Sequence, residues 1–139
     1  MGTINTGRVI LGGLLAGLVL NVGEFLFREI VVKQQQDASL QAMNLPSPGP
    51  YTIAIFVTLG FAVGIAMVWL YAAIRPRYGA GVKTAICAAM FVWVFAWAFP
   101  GLSQFVLGMF TRKLIVMTLA WGLVELTVAS VAGAWLYRE

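Results

Sequence analysis

The chain has 139 residues, 61% of them hydrophobic and 10% charged, with a mean hydropathy of +0.91. Too few polar side chains remain to coat a water-soluble globule of this size, which points to an integral membrane protein. The formal charge of +4 comes from nine Lys and Arg against five acids, with the bases at the ends of apolar runs. That placement reads as membrane anchoring, so the lipid bilayer is the expected partner and nucleic acid is not.

No histidine occurs. The usual haem and zinc ligand and the usual general base are therefore missing, so no cofactor or metal is expected and enzymatic chemistry is disfavoured. The single cysteine, Cys87, excludes an intrachain disulfide and reads as a small buried apolar residue. Met43, Met67, Met90, Met109 and Met117 are scattered, which suits core filling better than soft-metal binding.

A membrane-spanning helix needs about 20 mainly apolar residues. The first predicted span is Val9–Val32. Its start resembles a secretion signal with one base, Arg8, but no convincing small-x-small cleavage site follows, so it is expected to be retained. The opening "MGTINT" fits the loose myristoylation pattern through Gly2 and Thr6, a match read as coincidence. After the span, "VVKQQQDASLQAMN" keeps helix formers at helical spacing, so the helix should project beyond the bilayer. "LPSPGP", Leu45–Pro50, must end it and is the clearest loop.

The second predicted span is Thr52–Ile74. The third, Thr84–Phe99, is short and is expected to break at Pro100-Gly101, leaving Leu102–Phe110 at the interface or re-entrant. The alternative carries span three through a proline kink to Phe110. Trp93 and Trp97 form an i, i+4 aromatic stripe on it, suited to lipid contact or helix packing. The fourth span is Leu114–Tyr137. The whole reads as one all-α domain, a four-helix antiparallel transmembrane bundle with an extended first helix and a short interfacial segment before the fourth.

With four spans both termini share one side with the "RPRYGAGVK" loop. That side holds Arg8, Arg75, Arg77, Lys83 and Arg138, and the other Arg28, Lys33, Arg112 and Lys113. The compact three-base loop favours cytoplasmic termini. "WLY" recurs at Trp69–Tyr71 and Trp135–Tyr137, each soon followed by arginine, as interfacial anchors. "GEFLFRE" (Gly23–Glu29) also lies over "GAWLYRE" (Gly133–Glu139), a match that helix-end composition explains without duplication.

On a helix, Gly13, Gly17, Asn21, Glu24 and Arg28 fall on one stripe, and the glycines predict that it faces another helix. The same reasoning applies to Gly60 and Gly64 in span two. In span four it applies to the stripe of Gly122, Glu125, Ala129 and Ala132 or Gly133. Thr127 and Ser130 lie off that stripe, and their hydroxyls are expected to bond the preceding turn's carbonyls.

A charged acid at mid-membrane costs about 2.5 to 3.5 kcal/mol on insertion scales, so Glu24 and Glu125 need partners. Their depths are similar enough for them to meet if spans one and four are neighbours. Three arrangements remain open. In the first, Glu24 pairs with Arg28 while Glu125 is neutral or bonded to Asn21, as structural glue. In the second, both carboxyls share a proton or cation and serve as a transport relay. In the third, one acid faces a partner protein, lipid headgroup or ligand.

The stretches "YAAIRPRYGAGVKTA", "LAWGLVE" and "GAWLYRE", with "GRVILGGLLAGLVLN" in support, resemble a group of small bacterial four-helix membrane proteins of unknown function. The resemblance implies a bacterial inner-membrane protein with four spans and carries over no functional residues. Small multidrug transporters also have four spans and an acid in the first, but the residues around Glu24 do not match their pattern. The expected function is an accessory or scaffold subunit of a homo-oligomer or larger membrane complex. The alternative is a small proton- or cation-coupled transporter using Glu24 and Glu125.

Overall fold

The computed structural model describes residues 3–137. Gly2 of the acylation pattern, and Arg138 and Glu139 of the charge count and the "GAWLYRE" echo, lie outside them. Four helices are long and apolar enough to cross a membrane, so this is a multi-pass membrane protein: α1 (Thr6–Ala42), α2 (Pro50–Tyr78), α3 (Val82–Val106) and α4 (Arg112–Leu136). Among the described residues everything else is turn or connector.

Local chemistry explains the helix ends. Asn5 caps α1, its side chain accepting from Arg8 N at 3.1 Å, and Thr111 caps α4, accepting from Leu114 N at 3.3 Å. Pro50 opens α2, where its missing N–H and fixed φ cost nothing. Gly79, at φ +83°, closes α2 in a conformation that L residues avoid.

The first helix runs 37 residues. At 1.5 Å each that is about 55 Å, against a hydrocarbon core of about 30 Å, so one end must stand outside the bilayer. A π-helical turn at Arg28–Val32 separates the apolar part from the polar Lys33–Ala42 extension.

Helix α3 corrects an expectation. Pro100 and Gly101 do not end it; the helix passes through both and stops at Val106. A π-helical turn at Val94–Ala98 immediately precedes the proline. The wider turn accommodates a ring that would clash with the carbonyl one turn back, and the N–H that proline lacks. The segment before the fourth span therefore begins as helix and closes in a short turn around Gly108, at φ +71°.

Helix α1 packs along α2 on one side and α4 on the other, and α3 packs against α4. The core between them is built from small side chains: Ala16, Ala72, Ala85, Ala88, Ala89 and Ala129, with Leu20, Met67, Val68 and Leu126 filling between. Large apolar residues such as Phe25, Phe56, Phe95 and Trp135 point outward, as expected of a surface solvated by acyl chains. Cys87 is also exposed, contrary to the buried reading, because the inner face of α3 belongs to Thr84, Ala85, Ala88 and Ala89.

The end of the bundle that gathers both termini is held by the two tyrosines of the repeated "WLY". Trp69 and Trp135 stand exposed as anchors, whereas Tyr71 and Tyr137 turn inward and are buried. Their rings meet edge to face at 6.1 Å, and the Arg75 guanidinium lies 5.7 Å from the Tyr137 ring centre. The Tyr137 hydroxyl accepts from Asn5 N at 3.3 Å, and the Tyr71 hydroxyl from Gly81 N at 3.2 Å. These bonds tie the α1 start, the α2–α3 loop and the α4 end together.

Candidate functional site

The small-residue stripe of α1 divides between two neighbours. Gly13 and Gly17 lie against α2, where a methyl group built on Gly64 would stand 2.5 Å from Gly13 O. Only glycine lets the backbones approach so closely. One turn further, Asn21 Nδ2 donates to Val57 O at 3.1 Å, with Gly60 leaving room for the amide. Asn21 is thus committed to α2, not to Glu125.

The adjoining positions of α1 face α4. Gly12 meets Gly133, where a methyl group on Gly12 would stand 2.5 Å from Gly133 O. About three turns along the same face, Gly23 lies against Glu125, whose Oε2 would sit 2.6 Å from a methyl group there. Gly122, on the other side of α4, is covered by Trp97 of α3, and Trp93 Nε1 donates to Leu119 O at 2.9 Å. The Trp93–Trp97 stripe is therefore a packing surface for α4.

Glu125 is 3% exposed. Its Oε2 accepts from Trp121 Nε1 at 2.8 Å, and the Trp121 ring is held by parallel stacking on Phe27 at 5.2 Å. The Glu24 carboxyl comes within hydrogen-bonding range of the Glu125 carboxyl. With both ionised, Glu125 Oε1 has no hydrogen-bond donor among the described residues. A buried acceptor without a donor is rare in folded proteins and calls for an explanation. A proton on either carboxyl supplies the donor between them.

Arg28 does not supply the charge that the pair lacks. It turns to Glu29 at 3.0 Å and Asp37 at 3.6 Å, and Glu29 also binds Lys33 at 2.6 Å. Among the described residues no ion pair involves Glu24 or Glu125. The i, i+4 pairing of Glu24 with Arg28 is thus replaced by a chain of partly exposed pairs at the foot of the α1 extension. Of the sequence-predicted polar centre, the structure brings together Glu24 and Glu125 and places Asn21 and Arg28 elsewhere.

Beside the acids lies a cavity of about 430 Å³, lined from α1 by Leu18, Val19, Val22 and Gly23 and from α4 by Trp121, Val124, Glu125 and Val128. Leu18, Val22, Val124 and Val128 are each about half exposed, so the groove opens on the lateral face of the bundle. Sequence reasoning missed Trp121 and the groove valines. The i, i+4 spacing of Trp121 and Glu125 was a signal for the first; the valines carry none, since they match any lipid-facing residue.

Thr127 and Ser130 of α4 behave differently from each other. Thr127 Oγ1 bonds its own helix at Leu123 O, 2.7 Å, as expected, but the fully buried Ser130 donates across to Ala85 O of α3 at 2.7 Å. Searches against protein-family models, curated proteins and solved structures return no match to this chain. The reading of the site therefore rests on its geometry.

Proposed function

We propose that this protein is a small proton- or cation-coupled membrane transporter whose binding centre is the Glu24–Glu125 pair. One observation carries the reading: two carboxyls from helices far apart in sequence, Glu125 buried and Glu24 half-buried, meet with no ion pair to a base among the described residues. An acid pair inside an apolar span that no base neutralises is suited to taking up and releasing a proton or cation. The resemblance noted above supports a bacterial inner membrane as its location, and the base-rich α2–α3 loop supports cytoplasmic termini.

The test is proton flux into vesicles enclosing a pH-sensitive dye, under an imposed pH gradient, with sodium, potassium or tetraphenylphosphonium on the trans side. The wild-type chain should accelerate cation-dependent proton movement and Glu125→Gln should not. Equal rates for both proteins with every cation would sink the reading.

A second reading, an accessory or scaffold subunit of an oligomer, has its own support. The outer half of α2 exposes Tyr51, Ile55, Phe56 and Leu59 around the small residues Ala54 and Thr58, a face suited to another helix. Cross-linking from that face in native membranes, giving one stoichiometric product, is the result this reading requires.

A further inference from the structure

We infer that the two acids divide the work: Glu125 is the fixed member, and Glu24 is the carboxyl that exchanges protons with water, open in this conformation only to the end where α1 projects. The inference rests on the transport reading of the acid pair and assigns each member its role.

Glu125 is enclosed. Its Oε2 accepts from Trp121 Nε1 at 2.8 Å, and the Gly23 backbone lies against the same oxygen. The Trp121 ring is stacked on Phe27, with Val32 and Leu114 buried in the same cluster, which seals the direct line from Glu125 to the projecting end. Toward the termini the way is shut by Ala16, Leu20, Leu126 and Ala129 and then by the close approach of Gly12 and Gly133. The buried hydroxyl of Ser130 is turned to Ala85 O of α3. The lateral groove beside Glu125 has walls of leucine and valine, which offer water no hydrogen bond. Among the described residues the groups acting on Glu125 are the Glu24 carboxyl and the Trp121 indole, and none comes from α2 or α3.

Glu24 is placed differently. It is half-buried, and no ion pair holds it among the described residues. Arg28 lies one turn further along α1, about 6 Å at 1.5 Å per residue. There it joins Glu29 and Asp37, all three about 30% exposed, at the foot of the polar extension. Charged side chains of this exposure settle at the polar edge of the bilayer, where water solvates them. A turn of the flexible Glu24 side chain moves its carboxyl between Glu125 and that edge without parting the helices. A proton on Glu24 passes to an ionised Glu125 and leaves Glu24 as the carboxylate. Turned to the edge, that carboxylate is attracted by Arg28 at the i, i+4 spacing and takes a new proton from hydronium, releasing water.

The experiment has two arms, both on the full chain in membrane vesicles of either orientation prepared from expressing cells. In the first, the wild-type chain is treated with a water-soluble carbodiimide and glycine ethyl ester, and mass spectrometry reads the amidated acids against Glu29 as the reactive reference. Glu24 should react, and Glu125 should react about tenfold or more slowly, because an enclosed group is reached only through local opening. In the second, on a Cys87→Ser background, Glu24→Cys, Lys33→Cys and Lys83→Cys meet a charged, impermeant thiol reagent. Glu24→Cys should be modified in the vesicle orientation that modifies Lys33→Cys, and not in the one that modifies Lys83→Cys. Equal amidation of the two acids in the wild-type chain overturns the division of roles. Modification of Glu24→Cys from the Lys83 side, or from neither, overturns the one-sided opening. Either of these results, with Glu125→Gln still abolishing proton flux, leaves the transport reading standing. Flux equal in wild type and Glu125→Gln overturns that reading and this inference with it.

Discussion

The two seams along α1 use the same residue types to opposite ends. Against α2, glycines at 13, 17 and 64 bring the backbones together, and the one polar side chain, Asn21, finds a carbonyl in reach. Nothing polar there is left over. Against α4 the seam starts equally tight at Gly12 and Gly133, then opens toward Gly23 into a groove beside two acids that meet each other. Glycine alone therefore does not tell a packing seam from a site. What distinguishes them is the partner that the polar side chain finds: Asn21 meets a backbone carbonyl, Glu125 a second acid.

The largest expected effect breaks the tight seam. Gly64→Leu drives a branched side chain into the Gly13 and Gly17 backbone, which cannot give way as a side chain would, and should destabilise the bundle by about 3 kcal/mol. Unfolding in mixed detergent micelles, followed by circular dichroism, measures it; an unchanged midpoint would mean α1 and α2 are not in close contact. Ser130→Ala removes the bond to Ala85 O and should cost about 1 kcal/mol in the same assay, within the range for hydrogen bonds between membrane helices.

Asn21→Ala should cost about 0.6 kcal/mol and leave cation-dependent proton flux unchanged, because its amide serves α2. Glu125→Gln should move stability least, by about 0.5 kcal/mol or less, since an amide still accepts from Trp121 and offers Glu24 a donor. Its effect belongs to flux. If Glu125→Gln instead destabilised the fold as strongly as Gly64→Leu, the acid pair would be a structural clamp and the contrast between the seams would collapse.

Much of the architecture was legible in the residue order. Apolar runs of sufficient length announced four spans, "LPSPGP" announced the first loop, and the mismatch between a long helical pattern and bilayer thickness announced the projecting end of α1. Glu24 and Glu125 stood out because a carboxylate in an apolar run is costly wherever it lies. Pro100 misled, since a π turn upstream absorbs what a regular helix would not tolerate. Arg28 misled too: helical spacing offers Glu24, four residues back, whereas Asp37, nine residues on and across the π turn at Arg28–Val32, has no such spacing to announce it.

The sequence alone determined the environment of this protein and the number of its crossings, because hydropathy and helix length are properties of consecutive residues. Tertiary structure decided partnership. Successive positions on a helix differ by about 100° in direction, so Gly12 and Gly13, adjacent in sequence, address different neighbours. Which neighbour stands opposite depends on how α2 and α4 cross α1. That crossing gave Asn21 a carbonyl, gave Glu24 a second carboxyl, and left a groove beside them.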